Sequence, residues 1–513
     1  MNVHKLFSAL HKWRARSSAI LPLAFLQALA VGLGGLPATY LFRAIRCEEY
    51  RKTLPPHVPE DDICRSAIVQ KAYSTDIAIY TTVLAVLSIV LSGPYGRVSD
   101  IHGRKRALTI AVALNAFGDT WFVLCSLFAP LRTSWFLQLA AVLQGLGGGF
   151  SVVMAGQNAF IADTSAPSKR SYYMGLSLVM WWVGNTVGPL ISAVLLDEGL
   201  YTINFGIIVV IWALYLSYLL FAVREVHVPL AEESACAAAA LGENAAHRSA
   251  VSRLLAAMIS VVEPIIILGQ HISLLLVSIA MAGTVLAIGV FNLIIPYCDT
   301  KFGMEPSEAG LLTAVWSVAR AITVTFLFPM FLAAYQWLTN RNQSTEEPTS
   351  IHDTVPTDET TPLLAEATHE PQASESTPPA EATSISQEII VVRICLLLDA
   401  LGMLAIERSR NVGEAIFATA MSSLSAPAGP SMQALVTLAA PPGEIGRVLA
   451  GLSILQSAAV ALRGPVFVPL FNATLEKAPG AIWWLSALML TLCSLVAFAL
   501  RPRQFVYAHG GHT

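Results

Sequence analysis

Twelve apolar segments dominate this chain, and each is about as long as the roughly 20 residues a helix needs to cross a bilayer. They fall at about 18–41, 74–95, 106–129, 135–161, 172–196, 201–222, 270–296, 309–335, 389–406, 411–436, 446–470 and 481–500, some of them interrupted by polar residues. Composition agrees. Of 513 residues 55% are hydrophobic and 13% charged, against about 25% charged in soluble domains. So few charges cannot clothe a water-facing surface, and the chain reads as an all-α membrane protein of twelve transmembrane helices. A net charge of −3 without a long basic block gives no footing for nucleic acid. The leader Lys5, Lys12, Arg14 and Arg16 precedes a first span that is too long for a signal peptide and lacks a clear cleavage site, so this span is read as the first helix.

Orientation follows from Lys and Arg in the loops. With the N-terminus inside, inner loops and tails carry 17, the short outer loops 5, and the first outer loop (42–73) 6 more. Both termini are therefore expected in the cytoplasm. Internal repetition divides the chain. Gly175-Leu176-Ser177 with Gly188-Pro189 matches Gly451-Leu452-Ser453 with Gly464-Pro465 at one offset, which also aligns Gln157 with Gln433. Helix 5 thus corresponds to helix 11, which predicts two pseudo-symmetric six-helix bundles. The expected division is 1–222 for the first bundle, 223–268 for a cytoplasmic linker with a surface helix near 249–261, 269–500 for the second bundle, and 501–513 for a cytoplasmic tail. A Ser-, Thr-, Pro- and Glu-rich insert at 339–386 cannot bury enough apolar surface to fold and is expected to be disordered. It holds Glu359 four residues before Leu363-Leu364, the form of an acidic-dileucine sorting signal read by an adaptor coat.

Between helices 2 and 3 stands Gly96-Arg97-Val98-Ser99-Asp100-Ile101-His102-Gly103-Arg104-Lys105-Arg106. It resembles the signature loop of the major facilitator superfamily, G-x-x-x-D-x-x-G-R-[RK]-[RK]. Gly184-Asn185-Thr186-Val187-Gly188-Pro189 resembles the helix 5 element of its exporters, and Leu143-Gln144-Gly145-Leu146-Gly147 the end of the helix 4 motif. The nearest likeness is to fungal drug and metabolite exporters, with a distant one to the proton-coupled folate transporter group. The resemblance implies a monomeric secondary transporter in the plasma or vacuolar membrane, working by alternating access, with helices 1, 4, 7 and 10 lining the cavity. It also implies a cytoplasmic latch: Gly96 for close helix approach, Asp100 against a helix dipole, Gly103 at the turn, and Arg104 paired with Asp163. Lys105 and Arg106 are expected mainly to enforce topology. Two departures stand out. Ala141 occupies the place of the helix 4 Arg linked to proton antiport, and the second-half copy of the loop motif is absent.

Ionisable residues within a membrane span are functional candidates by default. They are Asp119, Arg320, Asp399 and Arg463, which can form acid–base pairs or carry protons. Gln27, Gln144, Gln157, Asn158, Asn292, Ser422 and Ser425 lie on helices that line the cavity, or form interhelical hydrogen bonds. Trp181, Trp182 and Trp316 offer aromatic faces, and with the Asp residues suggest a small aromatic, cationic solute. Gly147-Gly148-Gly149 lies in an apolar helix with no Gly-Lys-Ser/Thr after it, so it reads as close packing and not a phosphate loop. Without a nucleotide motif the expected drive is an ion gradient, protons above all, or simple facilitation. Proton-coupled uptake of a vitamin-like nutrient is the alternative to export. A receptor or membrane enzyme would need a nucleophile or metal constellation that the sequence lacks, and His271 alone is incidental; no cofactor is expected. Cys47 and Cys64 share the first outer loop and are candidates for a disulfide, with Cys298 as a rival partner. Asn472-Ala473-Thr474 is an outer-side glycosylation candidate, while Asn342 is placed in the cytoplasm.

Overall fold

The computed structural model describes residues 17–54, 63–165, 167–225, 266–343, 379–440 and 445–501. A backbone in lipid must satisfy its own hydrogen bonds, and these residues are helical almost throughout. The helices are α1 Leu21–Arg51, α2 Ala67–His102, α3 Arg104–Leu127, α4 Ser134–Thr164, α5 Pro167–Asp197 and α6 Tyr201–Ala222, then α7 Ile272–Phe302, α8 Pro306–Tyr335, α9 Pro379–Arg408, α11 Ile445–Thr474 and α12 Ala481–Ala499. Between α9 and α11, α10 is built in two pieces, Val412–Ser422 and Ala428–Ala439, around a tight turn at Ser423–Ser425.

Eleven helices among the described residues are long and apolar enough to cross a membrane. The expected span 411–436 is the one that falls short. Its centre carries Ser422, Ser423, Ser425, Pro427 and Pro430, and the prolines and the turn interrupt the helix. Those serines are nevertheless buried, so the broken centre of the segment faces protein, where irregular backbone is tolerated. Most helices outrun their apolar segments. The insert expected at 339–386 is helical at both edges, through Gln343 and from Pro379; its middle, with Glu359, Leu363 and Leu364, lies outside the described residues, as do 249–261 of the linker.

Two buried apolar clusters form. One draws only on residues between Ile20 and Val223. The other draws on residues from Ile267 to Leu500 and recruits Leu36, Tyr40 and Leu196 from the first six helices. The three recruits sit at one end of α1 and α5, near the Cys47–Cys64 disulfide. That end is called the disulfide side here, and the opposite end, carrying residues 96–106, the turn side. Within the first six helices, α1 and α5 pack backbone to backbone. A Cβ on Gly188 would stand 2.7 Å from the backbone of Gly32, and one on Gly184 2.7 Å from the Phe25 carbonyl oxygen. Small residues permit this approach between membrane helices. The repeated Gly464 of α11 is used differently: it packs on Ala78 and Thr82 of α2, across the two sets of six helices.

Candidate transport site and its two gates

The turn between α2 and α3 proves to be one residue long. Residues 96–102 continue α2, Gly103 alone breaks the helix at φ 98, ψ 153, and α3 starts at Arg104. That backbone region is essentially closed to other residues. Arg104 Nε donates to Asp163 Oδ2 at 2.8 Å and its Nη1 to Ser99 Oγ at 3.0 Å, so the side chain ties α2, α3 and α4 together. Gly96 has nothing within 4 Å of where a Cβ would stand. The close approach expected of it is not made in this conformation, because residue 96 faces open space at the turn side. Asp100 lies in the last turn of α2, and its side chain is outside the described residues.

Lys105 has a role that charge counting misses. Its Nζ donates to the carbonyls of Leu220 at 2.7 Å and Val223 at 2.8 Å, and its backbone N–H donates to Glu225 at 2.9 Å. A cation thus caps the C-terminal end of α6, where unpaired carbonyls and the helix dipole favour it. The second six helices lack the loop motif but contain the same device. Arg393 of α9 donates to the carbonyls of Ala497 and Leu500 at the end of α12.

On the disulfide side the two sets of helices are clasped together. Asp299 of α7 receives Arg43 of α1 at 3.3 Å and Gln70 of α2 at 2.7 Å. Lys71 donates to Glu476 at 2.7 Å, which holds the Glu476 carboxyl below its ordinary range. Asn472 of α11 accepts from Ser74 at 2.8 Å and donates to Thr75 at 2.9 Å. The sequon asparagine is therefore an interface residue, with its amide nitrogen committed to α2. The backbone N–H of Ser307 donates to Asp197 at 3.2 Å. Every polar contact described between the first and last six helices lies on this side or at mid-depth. Cys47 pairs with Cys64 beside the clasp, Cα to Cα 4.9 Å, and Cys298 is a free, buried thiol.

The mid-depth candidates separate into three groups. Asp119 accepts from Gln144 Nε2 at 2.7 Å and from Trp212 Nε1 at 2.6 Å, while Tyr80 donates to Gln144 at 2.6 Å. The acid–base pairing offered for it is not among the described contacts; neutral donors hold it instead, and Arg320 and Arg463 sit in the other six helices. Gln157 donates to Gln27 at 2.8 Å and to Tyr215 at 3.0 Å. All three are fully buried in the core of the first six helices, so in this conformation Gln27 and Gln157 face a packed interior. Asn158 is partly exposed beside them. Trp181 lies tilted against Phe150, ring centroids 4.4 Å apart. Arg463 donates to the Val285 carbonyl at 3.0 Å and lines a small crevice with Asn292 and Thr81 between α2, α7 and α11. It too lacks an acidic partner in the described contacts.

The third group joins both sets of helices. Asn185 of α5 donates to Ser317 of α8 at 3.0 Å. Next to this pair the Arg320 guanidinium lies 5.9 Å from the Trp182 ring and 5.2 Å from the Trp316 ring, and Trp316 stacks on Phe291 of α7 at 5.2 Å. Asp399 of α9, against Ser425 of α10, acts on Arg320 electrostatically without direct ion-pair contact. Periodicity could not reveal this convergence, because it depends on how α5 docks against α8.

Comparison with known proteins agrees with the architecture. The Major Facilitator Superfamily family model matches residues 66–333. An uncharacterized membrane protein of Schizosaccharomyces pombe is 27% identical, over 94% of this chain and 78% of its own. The MFS efflux pump atnC of Emericella nidulans is 30% identical over 32% of this chain, a match that spans 34% of that protein. Among solved structures, a D-xylose-proton symporter superposes with a TM-score of 0.61 at 12% identity, covering 95% of this chain and 98% of the other; at that identity the likeness concerns the fold alone. More than half the chain matches the family model, eleven of its helices can span a membrane, and the signature residues stand at the α2–α3 junction: the chain belongs to the Major Facilitator Superfamily of multi-pass membrane transporters.

Proposed function

We propose that this transporter exports a small organic solute by alternating access, with inward proton movement as the drive. The observation that carries this reading is the clasp between the first and last six helices on the disulfide side, together with their convergence at mid-depth. A polar clasp of Arg43, Gln70, Lys71, Asp299 and Asn472 holds the disulfide side shut, while Asn185, Ser317, Trp182, Trp316 and Arg320 bring both sets of helices to one place at mid-depth. A site reached from one side while the other is sealed is what alternating access requires. Basic residues crowd the turn side, which favours a cytoplasmic location for it and for both termini. The conformation then receives solute from the cytoplasm. On reversal the clasp parts, and the Gly96–Arg106 segment meets the second set of helices to close the cytoplasmic side.

Export is supported by the relatives whose names describe efflux, atnC among them. Asp399 and Asp119 are the candidate proton carriers, since each is a carboxyl inside a membrane span. Asp399 is the better placed, being the acid that acts on Arg320 at the junction. The acidic-dileucine segment would direct the protein to the vacuolar membrane, and its loss would leave it at the plasma membrane. The test is loss of fluorescent organic solutes from cells with and without the gene, repeated with a protonophore, and then flux in proteoliposomes under an imposed pH gradient. Gene-dependent loss that stops with the protonophore is expected. Gene-dependent accumulation would refute the direction, insensitivity to the protonophore would refute the coupling, and no flux of any solute in proteoliposomes would refute the reading as a whole.

A further inference from the structure

The mid-depth junction has an imbalance of hydrogen-bonding groups. Arg320 Nε, Trp182 Nε1 and Trp316 Nε1 are all buried, and none has a hydrogen-bond partner among the described residues. These three belong to one cluster, the guanidinium lying against both indole rings. Arginine and the indole N–H donate and cannot accept, so this cluster is short of acceptors. A desolvated guanidinium also needs a counter-charge. Asp399 supplies it only from a distance, through its field, and Asp119 is taken up by Gln144 and Trp212 in the first six helices. The walls beside the donors are flat and apolar: Trp316 stacks on Phe291, which meets Trp483 edge-on at 5.8 Å. Trp182 comes from α5 and Trp316 and Arg320 from α8, so a molecule held here would touch both moving parts.

We propose that Trp182, Trp316 and Arg320 form the substrate subsite and that it takes a planar aromatic organic acid as its anion. The oxyanion lies on the Arg320 guanidinium and the indole N–H groups, and the ring stacks among Trp182, Trp316 and Phe291. This assignment rests on the transport reading for its biological meaning, and it reverses the charge of solute that the Trp and Asp inventory of the sequence suggests. In this arrangement Asp399 and the bound anion compete for the same guanidinium.

The test uses the full-length protein purified in detergent and equilibrium dialysis with three matched probes: 1-naphthoate, 1-naphthamide and 1-naphthylmethylammonium. Naphthoate is expected to bind at least about tenfold more tightly than the other two, the scale of one charge-assisted hydrogen bond. R320Q is expected to lose that tenfold preference, weakening naphthoate far more than naphthamide. R320K, which keeps the charge but not the planar fork, is expected to retain part of it. W316F keeps an aromatic ring but loses the indole N–H and part of the stacking face, so naphthoate is expected to weaken more than naphthamide. Gel-filtration elution monitors folding; where R320Q elutes as aggregate, R320K and W316F decide. Tightest binding of the ammonium probe, equal binding of all three, no binding of naphthoate, or unchanged naphthoate affinity in R320K and W316F would each overturn the subsite. The transport reading fails separately: naphthoate bound through Arg320 but moved by no gradient in proteoliposomes would sink transport and leave the subsite standing. Flux confined to the ammonium probe would do the opposite.

Discussion

Replacing Gly103 by alanine tests the one-residue turn. Its φ of 98 and ψ of 153 lie where a side chain costs about 1–3 kcal/mol. A Cβ there would also run into the Glu225 carboxylate, which accepts from the Lys105 backbone N–H at 2.9 Å. Pushing that carboxylate aside forfeits a hydrogen bond to a charged group, roughly 1.5–3 kcal/mol. The two effects together come to about 2.5–6 kcal/mol, enough to lower the thermal midpoint of the purified protein and its yield. Heat unfolding of a membrane protein is commonly irreversible, so variants are compared at one scan rate. A double-mutant cycle separates the parts. E225A alone should cost the hydrogen bond, and G103A added to E225A should cost only the backbone strain, so the two substitutions should be less than additive. If G103A melts with the wild type, the backbone argument is wrong; strict additivity with E225A would refute the collision.

Three further outcomes follow from particular contacts. C64S removes a disulfide whose cysteines are 17 apart in sequence and should destabilise the protein by about 3 kcal/mol, which thermal unfolding with and without reductant measures. Asn472 is committed to Ser74 and Thr75, so protein from a glycosylating host should not change mobility after enzymatic deglycosylation, and N472A should raise alkylation of a cysteine placed beside Thr75. D119N should transport and melt within about 1 kcal/mol of wild type, because Gln144 can turn its amide over and keep both neighbours bonded, whereas D119L strands the Trp212 N–H and should cost about 1–3 kcal/mol. Loss of proton coupling in D119N with normal stability would show that Asp119, and not Asp399 alone, carries protons.

What the sequence determined by itself was everything that hydrophobic length and local geometry dictate. Lipid forces each apolar run into a helix, so the spans, the pseudo-repeat and the family were legible, and so was the Arg104–Asp163 contact, because the motif fixes Arg104 and the family resemblance pairs it with an acid at the end of α4. A lone Gly between basic residues likewise signalled the helix break at Gly103. Tertiary packing decided the rest, since side chains far apart in sequence meet only through the angle at which helices dock. Lys105 looked like one more topological charge until the end of α6 came within reach of it. Asn472 read as a sequon until α2 covered it, and Gln27 and Gln157 read as either cavity residues or interhelical hydrogen-bonding partners until packing turned them toward each other. Asp119 and Arg320 could be placed at mid-membrane from the sequence, but their partners could not. Which buried donors find acceptors, and which are left for a solute, depends on the seating of α5 against α8.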